Sequence, residues 1–269
     1  MFIINSVAWL ASLPAGVLVA GGLGFALLLA FIARLAVRAL VPAGEREIAS
    51  TIAGPLISAF GATFALLIAL SLASEASFLT SSNGIVSNEA ADASRLAWAS
   101  TSPGVNSALI HSALLGYLHA TRAYEWHGSN AAQGNDAATA NALAKLEIAV
   151  RTQAARPALG TPTSSELLAS LDALNNDRRA RLAAASHELP VLYLLILIIS
   201  GVALIVNAAA LTLRGGPRSV FLVGGLAAVI GLSLALLFAI GTPWRGPIIV
   251  SGQPIDNVVR DLNAGYFHS

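Results

Sequence analysis

The chain has 269 residues, of which 56% are hydrophobic and 11% are charged, and its formal net charge is +1. A soluble domain has about 25% charged residues, so this composition excludes an ordinary soluble protein. The small net charge argues against a nucleic-acid partner. Because the sequence contains no cysteine, it excludes disulfides and thiolate metal sites.

Four long windows of the sequence contain no charged residue. A helix needs roughly 20 apolar residues to cross a hydrocarbon core of about 30 Å, and each window is longer than that. The windows are residues 1–33, 48–74, 189–213 and 219–244. The sequence therefore predicts an all-α polytopic membrane protein with four transmembrane helices. Its predicted parts are a first hairpin with an N-terminal lead-in (1–74), a helical extramembrane domain (75–188), a second hairpin (189–244) and a C-terminal tail (245–269).

The beginning of the chain does not have the pattern of a secretory signal. The first charged residue is Arg34, whereas a signal peptide starts with a positive region. We expect residues 1–14, with Trp9, to form an exposed or interfacial lead-in. Four crossings place residues 34–47 and 214–218 on one face of the membrane. The positive-inside rule leans towards a cytoplasmic location for these short loops and an external middle domain.

The predicted spans contain small and polar residues that suggest how their helices associate. Gly54, Ser58 and Ala62 recur every four positions in the second span, which lets helix backbones approach closely within the protomer or between protomers. Asn207 is the most polar deep residue, and we expect it to donate an interhelical hydrogen bond. Pro55 falls near the expected start of the second span, where a helix tolerates proline. Proton relays and coupled transporters are disfavoured because no ionisable side chain lies deep in a span.

Two aromatic residues of the second span, Phe60 and Phe64, lie one helical turn apart on the same face. Residues of this kind are usually apolar bulk that contacts lipid or the helix core. They are also candidates for a hydrophobic pore constriction that gates by dewetting. The residues alone leave both interpretations open.

The middle segment reads as a helical bundle. Chain breakers divide it into four helices, the first of which can continue the second span. Asp136 and either Ser164 or Ser165 are the expected N-caps. The predicted helices cover about residues 82–100, 106–126, 136–151 and 165–186.

The titratable residues of this segment form no recognisable catalytic pattern. His111, His119 and His127 recur every eight residues, a spacing that spreads them around a helix and does not converge on a metal. Arg122 and Glu125 read as a local i, i+3 ion pair. The sequence therefore predicts no cofactor, no metal site and no enzyme activity.

Two clusters of charge lie on the outer helices of the segment. Glu89 and Asp92 precede Arg95 at helical spacing and read as an ordinary solvated face. The densest basic cluster contains Arg178, Arg179 and Arg181. It is predicted to be an interfacial anchor, a contact for anionic lipid headgroups or a contact for permeating anions.

Four local patterns in order give the chain a family resemblance. The motif positions that carry it include Glu89, Glu125, Trp126, Pro243, Trp244 and Gly246. The patterns lie at residues 87–90, 124–126, 177–182 and 241–251. Together with the two-plus-two arrangement of spans, the chain resembles the bacterial bestrophin-like membrane family over roughly residues 34–256. The family usually has Pro-Phe-x-Gly in the last pattern, and Trp244 replaces that aromatic residue and keeps an aromatic anchor at the membrane edge.

The resemblance implies a location in the bacterial plasma membrane, a homo-oligomer and a channel for small anions. In bestrophins the second span lines the pore with bulky apolar residues one turn apart, and Phe60 and Phe64 match in type and spacing. Residues 245–269 have no acidic cluster to match the bestrophin calcium clasp, so calcium gating is not carried over. Bestrophins keep the middle domain cytoplasmic, so the side of this domain is undecided. The alternative hypothesis is a non-conducting scaffold or sensor whose helical domain binds a protein partner or lipid headgroups.

Overall fold

The computed structural model describes residues 13–126, 131–187, 189–213, 215–244 and 246–267. Within these ranges the chain forms eight α-helices and no strand, which confirms the predicted all-α class. A short 3-10 turn at Ala43–Glu45 separates the first two helices. The helices are α1 (Ala15–Leu40), α2 (Arg46–Ala99), α3 (Ser107–Tyr124), α4 (Ala137–Ala154), α5 (Thr161–Ala185), α6 (Val191–Leu211), α7 (Pro217–Ile240) and α8 (Gln253–Asn263).

Four helices are long and apolar enough to cross a membrane: α1, the first part of α2, α6 and α7. The chain is therefore an integral membrane protein. Continuation of the second span into the middle segment is confirmed, because α2 runs for 54 residues without a break. Some residues of the regions considered in the sequence analysis lie outside the described residues. They include the lead-in up to residue 12 with Trp9, His127, and the range ends Glu188, Arg214 and Arg245.

The described chain forms two compact units. The first unit contains Met1–Phe78, Glu188–Thr242 and Gly246–Ile248, and the second contains Leu79–His187, Pro243–Arg245 and Ile249–Ser269. In the first unit α1 packs against both α6 and α7. Its core consists of aliphatic and small side chains such as Ala26, Leu197 and Ala227. This packing buries Ala26, Ala30 and Ala33 of α1.

The expected interhelical hydrogen bond of Asn207 is confirmed. Asn207 on α6 is 8% exposed, and its Nδ2 donates to the backbone carbonyl of Ala53 on α2 at 3.1 Å. We expect Asn207→Leu to lower the free energy of unfolding by about 0.6 kcal/mol and by at most about 1.7 kcal/mol, the range of such bonds between membrane helices. Thermal unfolding in detergent measures the change. Ser233→Ala is the control, since Ser233 only bonds the Val229 carbonyl of its own helix. Equal stability of the two variants would contradict the role assigned to Asn207.

The second unit has its own core, formed by α3, α4, α5, α8 and the C-terminal part of α2. Asp136 is confirmed as an N-cap, and its Oδ1 accepts a hydrogen bond from the Thr139 amide at 2.9 Å. The expectation of a cap at Ser164 or Ser165 is wrong. α5 begins at Thr161, with Gly160 as the N-cap residue and a proline in the first turn. Proline suits that position because a first-turn amide has no partner within the helix.

Two further features of the structure were not predicted. Pro55 lies inside α2 and not near its start, because the helix already begins at the charged residues Arg46 and Glu47. The C-terminal tail, for which no secondary structure was predicted, contains α8. Its Ile255, Val258 and Leu262 are buried in the second core. The i, i+3, i+7 spacing of these residues is an amphipathic helical pattern, and burial of this face stabilises the short helix.

Candidate functional site

The second unit contains a buried ionic cluster, which we call the Glu89–Arg181 network. It contains Glu89 from α2, Tyr117 from α3, Glu125 just after α3, and Arg178 and Arg181 from α5. The side chains of Glu89, Glu125 and Arg181 are 0% exposed, and that of Arg178 is 12% exposed. Because a buried charge is costly unless it is paired and hydrogen-bonded, the geometry of these contacts decides the stability of the unit.

Arg181 is the centre of the network. Its Nε donates to Oε2 of Glu89 at 2.7 Å, and its Nη2 lies 3.4 Å from Oε1 of Glu89 and 3.4 Å from Oε2 of Glu125. Nη1 donates to the backbone carbonyl of Glu125 at 3.1 Å. Burial alone would lower the pKa of Arg181, but Glu89, Tyr117 and Glu125 together outweigh it and raise that pKa. The guanidinium therefore stays charged and links α2 to the end of α3.

Arg178 and Tyr117 complete the pairing of the two glutamates. Arg178 makes two bonds to Glu125, at 2.5 Å to Oε1 and 3.2 Å to Oε2, and a third to the Gly134 carbonyl at 3.3 Å. The Tyr117 hydroxyl donates to Oε1 of Glu89 at 2.8 Å. Desolvation, followed by the negative charge of Glu89, raises the pKa of Tyr117 well above its ordinary value. The phenol therefore remains a neutral donor.

Two tryptophans pack beside the network. Trp126 and Trp244 are 1% and 2% exposed, and their ring centroids lie 5.6 Å apart in an edge-to-face arrangement. The guanidinium carbon of Arg122 lies 4.6 Å from the Trp126 ring centroid, and that of Arg181 lies 5.6 Å from it. Such cation–π contacts add stability when they are desolvated. Trp244 is therefore a core residue of the second unit, and the membrane-edge exposure expected from the sequence is not observed.

The positions around Trp244 close two local turns. The Pro243 carbonyl accepts a hydrogen bond from the Val250 amide at 2.9 Å within the second unit. Within the first unit, the Gly246 amide donates to the Thr242 carbonyl at 2.6 Å. A Cβ atom at Gly246 would lie 2.5 Å from Oγ1 of Thr242, so only glycine fits this turn without a shift.

In the first unit, both α1 and α2 expose small residues, and on α2 they follow the helix for most of the span. The surfaces of the other spans carry large side chains, such as Phe31 on α1, Ile199 on α6 and Phe221 on α7, each more than 60% exposed. On α2 one exposed stripe consists of small or hydroxyl side chains and Pro55, and larger side chains such as Leu66 lie beside it. The stripe, called here the small face, consists of Thr51, Ser58, Ala62, Ala65 and Ala69. Small residues permit close helix approach in lipid.

The comparison with protein families decides the affiliation of the chain. The family model of the bestrophin-like domain matches residues 24–255, which include most of α1, the other three spans and most of the second unit. The chain belongs to the bestrophin-like family. The comparisons with curated proteins and with solved structures found no significant match. All four patterns that carried the resemblance begin within the matched range of this bestrophin-like chain.

The structure brings most of the predicted motif positions of this bestrophin-like protein together. Glu89, Glu125, Trp126 and Trp244 all contribute to the Glu89–Arg181 network or to the aromatic pair beside it. The interpretation of Glu89 as part of a solvated face is wrong, because Glu89 is fully buried. The local spacing missed this, since its partner Arg181 lies 92 positions away in sequence.

Two other ion pairs are also non-local. Arg95 makes a bidentate contact with Glu166 at 2.8 and 3.2 Å. Arg122 makes one with Asp256 at 2.8 and 3.1 Å and leaves Glu125 to the network arginines, so the expected local pair of Arg122 with Glu125 is wrong. No local signal identifies these partners, because each pair joins different helices.

The three arginines of the α5 cluster differ in burial. Arg178 and Arg181 point their guanidinium groups at carboxylates of the network. Arg179 is exposed, and its Nη2 donates to Oδ1 of Asn176 at 2.6 Å. Of the three, Arg179 is the one whose guanidinium is open to an anion or a lipid headgroup.

The two phenylalanines of the candidate constriction lie in the first unit. Phe64 is 5% exposed and packs in the core, where a Cβ atom at Gly201 would lie 3.4 Å from its ring. Phe60 is half-buried and packs at the edge of the same core. A side chain that lines a pathway must be open on one side of the protomer, and Phe60 meets this condition better than Phe64.

Among the described residues, histidines and other side chains that could bind a metal do not lie close together. Nε2 of His111 lies 2.8 Å from Oγ of Ser100 and 3.2 Å from the Ala97 carbonyl oxygen. His119 is exposed. Within the described ranges, no group of three or more His, Cys, Asp or Glu side chains is close enough to hold a metal ion.

An apolar cavity of about 530 Å³ lies between α1, α6 and α7 in the first unit. Its wall includes Gly21, Phe25, Ile198 and Phe238, and none of its lining side chains is polar or charged. An anion there would lose its hydration without gaining a hydrogen-bond donor, which is strongly unfavourable. The cavity is therefore unsuited to anion passage through a single protomer.

Proposed function

We propose that this bestrophin-like chain assembles into a homo-oligomeric channel for small anions in the bacterial plasma membrane. The observation that carries the proposal is the small face of α2, which the protomer leaves uncovered along a membrane span. Membership in a family related to anion channels favours a channel over an enzyme. The small face suits a surface where helices of neighbouring copies approach one another around an aqueous path.

The pathway is proposed to lie between protomers and not within one. The cavity of the protomer is lined by apolar side chains alone, so it cannot replace the water around an anion. A path on the oligomer axis keeps water around the ion and needs only small side chains on its wall. Phe60 lies two positions from Ser58 and from Ala62 and therefore on the opposite side of α2, so Phe60 and Phe64 support α2 from behind the small face.

The helical segment 75–188 is proposed to lie outside the bilayer, since it contains the charged networks described above. Its exposed Arg179 is the proposed contact for incoming anions or lipid headgroups, because Arg178 and Arg181 are neutralised by glutamates. An exposed cation near a pore mouth raises the local anion concentration.

The proposal predicts that a bulky residue on the small face blocks conduction. Purified protein in planar bilayers is expected to show a chloride current, and Ala62→Trp is expected to reduce that current by about tenfold or more by filling the path. The control is Leu222→Trp on α7, where the native side chain is 69% exposed and already large. It should leave the current unchanged.

The oligomer is tested separately by crosslinking. Because the native chain has no cysteine, Ala62→Cys provides a single thiol on the small face. Disulfide-linked dimers should form from Ala62→Cys in membranes and not from Leu222→Cys. A strictly monomeric and electrically silent protein would overturn the proposal. A crosslinked but silent protein would favour the non-conducting scaffold instead.

A further inference from the structure

The apolar cavity of the first unit is a groove whose wall is rich in glycine. Gly22 of α1 and Gly231 of α7 line it at a point where the two helices pack closely, since a Cβ atom at Gly22 would lie 3.1 Å from the Cβ atom of Ala235. Gly21 of α1 and Gly201 of α6 also line it and add no side chain to its wall. The helices are therefore in contact while a space of about 530 Å³ stays open beside them.

Water is poorly suited to this space. A buried water needs about two to four polar partners, and the described side chains that line the groove are all apolar. An engineered apolar cavity of about 150 Å³ stays dry and binds small apolar molecules, and this groove is larger. If the groove stayed empty, its lining side chains would lose dispersion contacts on one side. Hydrocarbon is therefore the favoured occupant.

The groove opens towards the lipid along one face of α1. Val17, Gly21 and Phe25 follow one another at four-residue spacing, and all three line the groove. Val17 and Phe25 are 50% and 61% exposed, so they form its rim. Because α1 is a membrane span, exposed side chains along it contact hydrocarbon. The groove is therefore continuous with the lipid-facing surface of the protein.

The dimensions of the groove match an extended chain. On α1 its lining residues run from Val17 to Leu29, a rise of about 18 Å at about 1.5 Å per residue. One leaflet occupies about half of a hydrocarbon core of about 30 Å, so the groove is about as long as the acyl chains of one leaflet. On α7 the lining runs from Ile230 to Phe238, near the end of that helix at Ile240. The groove therefore lies mainly in the leaflet where α1 begins and α7 ends.

We propose that this groove is a binding site for one acyl chain of a membrane phospholipid. The chain enters between the exposed rim residues and packs along Gly21 and Gly22, where no side chain obstructs it, while the headgroup stays at the membrane surface. Apolar surfaces in lipid attract each other mainly by van der Waals packing, and a groove offers a chain more of it than a convex helix surface does. Binding of the chain does not depend on conduction, because the groove lies wholly in the first unit and is unsuited to anions.

The first test maps lipid contacts by photolabelling. The full-length protein is placed in phosphatidylcholine vesicles that contain a small fraction of phosphatidylcholine with a diazirine in one acyl chain. After illumination, the labelled residues are located by mass spectrometry. Phe25 and Phe31 of α1 are a matched pair, since both are 61% exposed and Phe31 does not line the groove. We expect several times more label at Phe25 than at Phe31.

The second test fills the groove. A Cβ atom at Gly21 meets nothing within 4 Å, so Gly21→Phe places a ring in the groove without displacing the backbone. Gly24→Phe is the control, because Gly24 has equally open surroundings and does not line the groove. Gly21→Phe should lose most of the label at Phe25 and at Ile198 of α6 and keep the label at Phe31. Gly24→Phe should keep all three.

Three results would overturn the proposal. Equal labelling of Phe25 and Phe31 would show ordinary annular lipid only. Unchanged label at Phe25 in Gly21→Phe would place the chain outside the groove, and labelling by a diazirine fatty acid but not by the phospholipid would assign a different ligand. Should Gly21→Phe not fold, the comparison of Phe25 with Phe31 in the wild type still decides. An electrically silent protein with strong label at Phe25 would overturn the channel and leave this site intact.

Discussion

Replacement of Arg181 by methionine is expected to destabilise the second unit by about 3–5 kcal/mol, the cost of breaking a buried ion pair from one side. Methionine fills a similar volume but leaves the fully buried Glu89 without a cation and the Glu125 carbonyl without its donor. Glu89 would then either remain ionised, at a large cost in free energy, or take up a proton. Thermal unfolding in detergent, followed by circular dichroism, measures the loss.

Arg179→Met is the matched control for this prediction, since it lies two positions earlier on the same helix. Arg179 is exposed and bonds only to a neighbouring asparagine, so its removal should change stability by no more than about 0.5 kcal/mol. Arg181→Lys should give an intermediate loss, because an ammonium group cannot serve both glutamates with fixed donors. If Arg181→Met is as stable as Arg179→Met, the Glu89–Arg181 network is not a principal source of stability.

The membrane-spanning part of the fold could be predicted from the sequence because the bilayer restricts which residue types a span can contain, whatever the rest of the fold is. A charge is excluded from each span regardless of its neighbours, so the distribution of charged residues located the four spans. The hydrogen bond of Asn207 was predictable for the same reason, since a deep polar side chain needs a partner in lipid. Which carbonyl it meets, that of Ala53, depends on how the helices pack and was not predictable.

The ionic site could be predicted only in part. The motif positions Glu89 and Glu125 were recognised from local patterns, but their burial and their pairing were not. Pairing at i, i+3 contributes only about 0.2–0.5 kcal/mol, so a buried long-range partner such as Arg181 easily outweighs it. The tail helix was missed for a related reason. α8 is short, and burial of residues such as Val258 stabilises it more than its own propensity does.

A close backbone approach between α1 and α7 is the basis of the second large effect. A Cβ atom at Gly231 on α7 would lie 2.6 Å from the Gly22 carbonyl oxygen and 2.8 Å from the Cβ atom of Ala26 on α1. A Cβ atom at Gly22 would in turn lie 2.9 Å from the Gly231 carbonyl oxygen. The obstructing atoms are backbone or short side chain, so they cannot rotate away. Only glycine at these two positions allows α1 and α7 to pack at this distance.

We therefore expect Gly231→Ala to destabilise the first unit by about 1–3 kcal/mol, the usual cost of overpacking, and Gly231→Leu to prevent folding. Thermal unfolding and monodispersity in detergent measure the loss. Gly225→Ala on the same helix is the control, because a Cβ atom there meets nothing within 4 Å. Since alanine favours a helix over glycine, this control should be neutral or slightly stabilising. If Gly231→Ala stabilised the protein as Gly225→Ala is expected to do, α1 and α7 would not be packed at the close distance described here.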